Sequence, residues 1–273
     1  MRDDFLKVSN LVVRRGQRVI VKECNFEFTH GQFVAVIGEN GAGKSTLLKA
    51  LAGDLSYQGK IQFAGDELTQ WSSLDLASRR AVMEQHAFAP PGLSVLELVA
   101  MGRYWCMEPE HQSVSTAYKW LEKLQLEHYT HNELNELSGG EQQRAHLARC
   151  MAQLDHEAFG TQVNGMLLLD EPTAALDIYY QHLCLQQAKQ FAQQRNLVIA
   201  IMHDLNLASL YADQILLLHQ GERCACGIPS DVLEAERLSD LYRQPMHVVQ
   251  HPKLNVPMIF SEPQFSLNAG NSC

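Results

Sequence analysis

A chain of 273 residues, 46% hydrophobic and 19% charged, can bury a full core and has the balance of an ordinary globular protein. Its 22 basic residues stand against 31 acidic ones, a formal charge of −9 with no basic block, which argues against nucleic acid as a partner. No apolar run approaches the roughly 18 residues of a membrane span, and the opening Met1-Arg2-Asp3-Asp4-Phe5 has no signal-like apolar region.

Residues 5–37 read as β structure: Leu6-Val8, Leu11-Val13, Val19-Ile20-Val21, then Phe26 and Phe28 in alternation, with a turn at His30-Gly31. An antiparallel patch leads into the run Phe33–Ile37. A helix is predicted from Leu47 until Gly53, a short strand between Gly59 and Gly65, and another at Ala81-Val82-Met83, ending at Glu84-Gln85. From about 86 to 152 strand signals vanish. Pro90-Pro91-Gly92 is a loop, Ser94-Val95-Leu96-Glu97 is a capping box, and Val114–Leu126 and Gly139–Gln153 have helical spacing. Strands return at Met166–Leu169, Leu197–Ile201 and Gln214–His219, the last with a turn at Gln220-Gly221 and a hairpin partner, and a long helix spans Tyr179–Arg195. Alternation of this kind builds a parallel sheet covered by helices. Two short helices are predicted over 229–243, the first capped by Ser230, and edge strands at Val248-Val249 and Pro257–Ile259. The tail 261–273 is polar and expected to be disordered.

The cysteines at 24, 106, 150, 184, 224, 226 and 273 are scattered, with no C-x-x-C, and read as reduced thiols. Cys224-Ala225-Cys226 without a second pair makes a poor zinc site.

Gly38-Glu39-Asn40-Gly41-Ala42-Gly43-Lys44-Ser45-Thr46 fits the phosphate-binding loop G-x-x-x-x-G-K-[ST], after a β-branched strand and before a helix. Glycines allow a tight turn whose N–H groups face phosphate oxygens, and the opening helix adds the positive end of its dipole. Lys44 supplies a point charge for the β- and γ-phosphates, and the Ser45 hydroxyl can ligate Mg²⁺. The loop binds a nucleoside triphosphate. Leu167-Leu168-Leu169-Asp170-Glu171-Pro172 is an apolar strand ending in two acids. Beside such a loop, Asp170 is placed to hold Mg²⁺ and Glu171 to polarise the attacking water. Leu137-Ser138-Gly139-Gly140-Glu141-Gln142-Gln143-Arg144 reads as a helix start capped by Ser138, with two glycines baring N–H groups that can face an anion.

That last string resembles the signature motif of ATP-binding cassette (ABC) ATPases, and the family's other motifs follow in order. Gln85 matches the Q-loop glutamine, Ala175-Leu176-Asp177 the D-loop, and Ile201-Met202-His203-Asp204 the switch histidine. The resemblance covers about residues 5–245. It implies an α/β phosphate-loop NTPase with a mixed sheet, an antiparallel β subdomain and a helical subdomain. A single ABC domain over 1–260 would have its core at about 5–85 and 154–245 and its helical part at 86–153. It further implies ATP and Mg²⁺, with two copies packed head to tail. Gly38, Asn40, Gly41, Ala42, Gly43, Lys44, Ser45 and Thr46 would bind one ATP. Ser138, Gly139 and Gly140 would clamp the partner's ATP, with Asp177 at the dimer interface. Ser45, Gln85 and Asp170 would hold Mg²⁺. Glu171 would be the general base, assisted by Gln85, and His203 would meet the γ-phosphate. Arg15 stands where the family places a base-stacking aromatic ring; its guanidinium can stack on adenine or lie in solvent. Glu39 stands where proline is common, a place where backbone atoms act.

The compact helical insert resembles transport cassettes. Ala77–Gln85 with Val95–Arg103 is similar to importers of iron chelates, cobalamin and haem. The insertion Asp155–Gly165, His203–Ala208 and Tyr242-Arg243-Gln244-Pro245 are most similar to the ATP-binding subunits of hemin importers. The implied partners are two permease copies at the cytoplasmic face of the inner membrane and, indirectly, a periplasmic binding protein. Phe88, Pro90, Pro91 and Leu93 would offer a docking groove or internal packing. A siderophore or cobalamin cassette, a soluble ATPase that assembles complexes, and an exporter cassette are the other readings.

Overall fold

The computed structural model describes residues 5–85, 90–156 and 163–262; Phe88, the middle of the 155–165 insertion and the tail from 263 lie outside them. The chain opens with a hairpin of β1 (Leu6–Arg15) and β2 (Arg18–Phe28). Next come β3 (Phe33–Gly38), which runs into the glycine-rich loop, and α1 (Lys44–Leu51), which leaves it. β4 (Tyr57–Phe63) and β5 (Asp66–Glu67) complete a four-stranded antiparallel sheet ordered β2-β1-β4-β5. α2 (Ser73–Arg79) leads into β6 (Arg80–Met83). A helical part follows, with α3 (Val95–Met101), α4 (Glu110–Lys123) and α5 (Gly139–Gln153).

The second half brings β7 (Met166–Asp170), α6 (Ile178–Gln193), β8 (Leu197–Ile201) and α7 (Leu205–Tyr211). β9 (Gln214–His219) and β10 (Glu222–Gly227) follow, then α8 (Pro229–Val232) and α9 (Ala235–Tyr242). β11 (Met246–Gln250) and β12 (Pro257–Ser261) close the described chain. The central sheet is ordered β10-β9-β3-β8-β7-β6, parallel except for the β9–β10 hairpin.

Every residue of β3, β7 and β8 is buried, as expected of strands covered on both faces. Their alternation divides the interior in two. Phe33, Ala35, Ile37, Leu167, Leu169, Val198 and Ala200 face the core shared with the helical part. Val34, Val36, Met166, Leu168, Leu197 and Ile199 face α1 and the antiparallel sheet. The strands therefore present their C-terminal ends, where β3 and β7 stop, at one edge between the two cores.

Several elements differ from the sequence reading. Gly59 lies inside β4 and does not begin it: its φ is 95°, and a Cβ there would collide with the carbonyls of Ser9 and Asn10 on bulged β1. α4 starts at Glu110 behind Pro109 and stops by Lys123, because Arg144 Nη1 donates to the carbonyls of Leu124 (2.7 Å) and Gln125 (2.9 Å). Ile228, not Ser230, is the N-cap of α8; Pro229 occupies the first helical position and Ser230 instead donates to Asp231. β11 and β12 pair with each other as a separate two-stranded sheet. Ser261 belongs to β12, opposite Met246. α2, with no fully buried residue, and the short α7 gave no periodic signal.

The helical part is fastened by one buried ion pair. The side chains of Arg103 and Glu108 are 0% and 1% exposed and meet in a fork, Nε to Oε1 at 2.8 Å and Nη2 to Oε2 at 2.7 Å. Arg103 also donates to the carbonyls of Ala152 and Asp155 at the end of α5, and Ser113 Oγ donates to Glu108. Removing one partner leaves a buried, uncompensated charge. Glu108→Ala should cost about 3–5 kcal/mol in urea denaturation at neutral pH. The double change Arg103→Met with Glu108→Leu, which leaves no orphan charge, should cost less than that single change.

Candidate nucleotide-binding site

The loop between β3 and α1 is shaped by its glycines. Gly38, Gly41 and Gly43 have φ of 149°, 81° and 99°, and a Cβ on Gly38 would collide with the Leu218 carbonyl of β9. α1 opens without a side-chain cap among the described residues, so the first N–H groups remain for an anion. Lys44 is 7% exposed and folds back on the loop, donating to the carbonyls of Gly38 (2.8 Å) and Glu39 (3.0 Å). Burial lowers its pKa, while the carboxylates of Glu171, Asp170 and Glu39 pull it back up.

Glu39 meets the ring of His219 at 3.0 Å and leaves its backbone carbonyl to Lys44. The Tyr242 hydroxyl of α9 is held by the backbone of Gly38, and burial pushes its pKa up to about 12. Neither contact was read from the sequence, where Tyr242 counted only toward the family resemblance.

The second half of the site is assembled by the ends of β6, β7 and β8. Ser45 Oγ lies 3.4 Å from Asp170 Oδ1, and Asp170 is 6% exposed. Burial raises the Asp170 pKa, and neighbouring Glu171 adds to the shift; Ser45, Lys49 and Lys44 oppose it. A buried carboxylate beside a second carboxylate and a hydroxyl is the hard-oxygen donor set that suits Mg²⁺.

Glu171 collects three elements. Gln85 Nε2 donates to its Oε2 at 2.8 Å, and His203 Nε2 lies 2.6 Å from its Oε1. Gln143 Nε2, from α5, donates to its backbone carbonyl at 2.7 Å. Glu171 itself has φ of 54°, in the left-handed region, a conformation that persists where surrounding contacts over-determine it.

Other predicted residues lie apart from this cluster. Ser138 caps α5 in a reciprocal box: its hydroxyl donates to Glu141 Oε2 at 2.6 Å, and Glu141 N–H donates back at 3.4 Å. Ser138, Gly139 and Asp177 are exposed, and Asp177 caps α6 through Tyr180 N–H. Arg15 is exposed at the tip of the β1–β2 hairpin, opposite Arg18. Further along β2 the carbonyl of Ile20 faces Gly43, which places that tip on the side of the phosphate loop.

Between Gln85, α5 and the segment after β7 lies a crevice of about 360 Å³, lined by Met83, Gln142, Gln143, His146 and Ala175 among others. His146 is 5% exposed, and neither ring nitrogen has a hydrogen-bond partner among the described residues. Burial, with Arg149 nearby, lowers its pKa to about 4.

A family model described as ABC transporter matches residues 21–174. The hemin import ATP-binding protein HmuV of Idiomarina loihiensis is 51% identical over 95% of this chain and 98% of its own. The Deinococcus radiodurans protein of the same name is 40% identical over 94% and 97%. Among solved structures, an ABC transporter chain in an inward-facing conformation superposes with a TM-score of 0.78 at 28% identity, covering 96% of this chain and 98% of that one. The dimeric, post-hydrolysis ATP-binding cassette MJ0796 with ADP and Pi shares the fold, with a TM-score of 0.70 at 24% identity over 82% of this chain and 98% of its own.

The His146 pKa is depressed in the folded chain relative to its ordinary 6.5, so unfolding takes up a proton between the two values. Its contribution is complete above about pH 6.5 and declines as pH falls toward 4, by about 3 kcal/mol over the window. His146→Leu should leave stability near pH 7.5 within about 1 kcal/mol and flatten this acid slope, read by urea denaturation at a series of pH values.

Proposed function

The chain belongs to the ABC transporter family of ATP-binding proteins, and from that premise we propose that it is the ATP-hydrolysing subunit that energises haem uptake through a separate membrane permease. The observation that carries the hydrolytic part is the convergence of Gln85 and His203 on the Glu171 carboxylate, beside the Ser45–Asp170 pair and the phosphate loop. The haem part rests on relatives named hemin import ATP-binding proteins that match over almost their whole length.

ATP enters with its phosphates over the loop Gly38–Thr46, contacting Asn40, Gly41, Ala42, Gly43, Lys44 and Ser45. The Lys44 ammonium, held by its own loop carbonyls, exchanges those weak acceptors for phosphate oxygens. Ser45, Asp170 and Gln85 would hold Mg²⁺, which neutralises charge on the phosphates when bound. Glu171 takes the proton of the attacking water, and Gln85 and His203 fix the carboxylate that receives it. His203 then contacts the γ-phosphate. The Arg15 guanidinium covers the adenine.

Two copies related by two-fold symmetry complete each site. Ser138, Gly139 and Gly140 of one copy close over the ATP of the other, and Asp177 lies in the interface between them. Among the described residues no helix is long and apolar enough to cross a membrane. The pair sits on two permease copies at the cytoplasmic face, supplied from outside by a periplasmic binding protein.

Glu171→Gln should bind ATP with near-normal affinity, form a stable closed dimer by size exclusion and lose about 100-fold or more of its phosphate release. Near-normal hydrolysis would remove Glu171 as the base. Arg15→Ala should weaken ATP binding about tenfold with little effect on inorganic triphosphate; equal ATP affinity places Arg15 in solvent. With the permease in liposomes, ATP-dependent uptake of haem, and not of a siderophore or cobalamin, settles the cargo.

A further inference from the structure

One side chain links the two halves of the site within a single chain. Gln143 stands on the second turn of α5, the helix whose first residues are Gly139 and Gly140. Its Nε2 donates to the Glu171 carbonyl at 2.7 Å, and its Oε1 accepts from Ala175 N–H at 3.2 Å. It thereby brackets the whole segment from the acid at the end of β7 to the residues before Asp177. The first turn of α5 presses on the same segment. A Cβ added to Gly140 would stand 3.0 Å from the Ala175 carbonyl and 3.2 Å from Leu176 Cδ2. Leu176 is buried at 8% exposure, so the segment has little room to slide independently. The start of α5 and residues 171–176 form one mechanical unit.

We propose that Gln143 is a positioning residue that couples the two ATP sites of the dimer. This rests on the reading above, in which Ser138 and Gly140 touch the partner's ATP while Glu171 serves its own. A phosphate that draws the N-terminus of α5 toward the partner site pulls, through Gln143, on the Glu171 carbonyl. The φ of 54° at Glu171 makes its carboxylate sensitive to that pull, because the left-handed backbone is held by contacts and not by intrinsic preference. Occupancy of one site thus sets the geometry of the base in the other. The coupling uses no contact between Gln143 and nucleotide. An ordinary structural glutamine would lower stability without altering how the two sites respond to each other.

The test compares wild type, Gln143→Ala and Gln143→Glu as full chains, with Glu171→Gln in parallel. Gln143→Glu keeps an acceptor for Ala175 N–H and sets a carboxylate against the Glu171 carbonyl. Steady-state phosphate release against ATP concentration gives kcat, KM and the Hill coefficient; fluorescent-nucleotide binding and thermal melting report folding and single-site affinity. Wild type should show a Hill coefficient approaching two. Both Gln143 variants should bind nucleotide within about twofold of wild type, lose about tenfold in kcat and give a Hill coefficient near one. A wild-type Hill coefficient and kcat in folded Gln143→Ala, with Glu171→Gln inactive, overturns the coupling and leaves the base assignment standing. Near-normal turnover in Glu171→Gln overturns both.

Discussion

The Glu171 backbone is the constraint on which the site depends. A non-glycine residue in the left-handed region costs about 1–3 kcal/mol, and the neighbouring structure must hold it there. Gln85 arrives from the end of β6, His203 from the end of β8, and Gln143 from the helical part. β6 and β8 flank β7 on either side in the sheet, so the two side chains reach the same carboxylate from opposite directions. Parallel strands place those ends at one edge, and the all-buried strands that make this possible are set by apolar sequence alone. The site is therefore a consequence of sheet order, with the helical part supplying the third hold.

Electrostatics gives the same edge its chemistry. Lys44 and Asp170 are both nearly buried, and burial moves each toward its neutral form. Neighbours oppose each shift: three carboxylates act on Lys44, and Ser45 with two lysines acts on Asp170. A polyanion with a divalent cation would satisfy both sets at once, supplying negative charge to Lys44 and positive charge to Asp170. The loop carbonyls that Lys44 now contacts are neutral acceptors, which hold it in place more weakly than phosphate oxygens would. The protein thus carries the ligand's charge pattern as its complement.

How much of this was legible in the sequence depends on distance along the chain. β3, β7, β8 and β9 were read nearly to the residue, because continuous apolar runs bounded by glycine or acids are a local signal. The phosphate loop, the capping box at Ser94 and the cap at Ser138 were legible for the same reason, their partners lying within three residues. α2 escaped because none of its residues is fully buried, so it carries no apolar stripe. Ser230 misled because a proline one residue earlier competes for the helix start and fits it better. β11 and β12 were read as strands but not as each other's partners, since register between two short runs is set by pairing and not by composition. The contacts at Glu171 span 86, 32 and 28 residues, and side-chain bonds at such separations leave no periodicity to read. Residue types named the candidates, and only the fold showed that Gln85 and His203 share one carboxylate.

The helical part need not be a passive clamp on this arrangement. Arg103 and Glu108 form a buried fork in the connection between α3 and α4, and Arg103 also donates to the Ala152 carbonyl of α5, so motion there is expensive. Arg144, buried at 3% exposure, ties α5 to the end of α4 and stacks on Tyr180 of α6 with its guanidinium 3.9 Å from the ring centre. At the opposite end, the crevice beside Gln143 and His146 is lined by both polar and apolar groups, and its walls belong to different elements. The helical part shares its hydrophobic core with the central sheet, and side chains lining the crevice add polar contacts between the two. Gln143 is one of them, and it ends on the backbone of the residue with the least conformational latitude in the site.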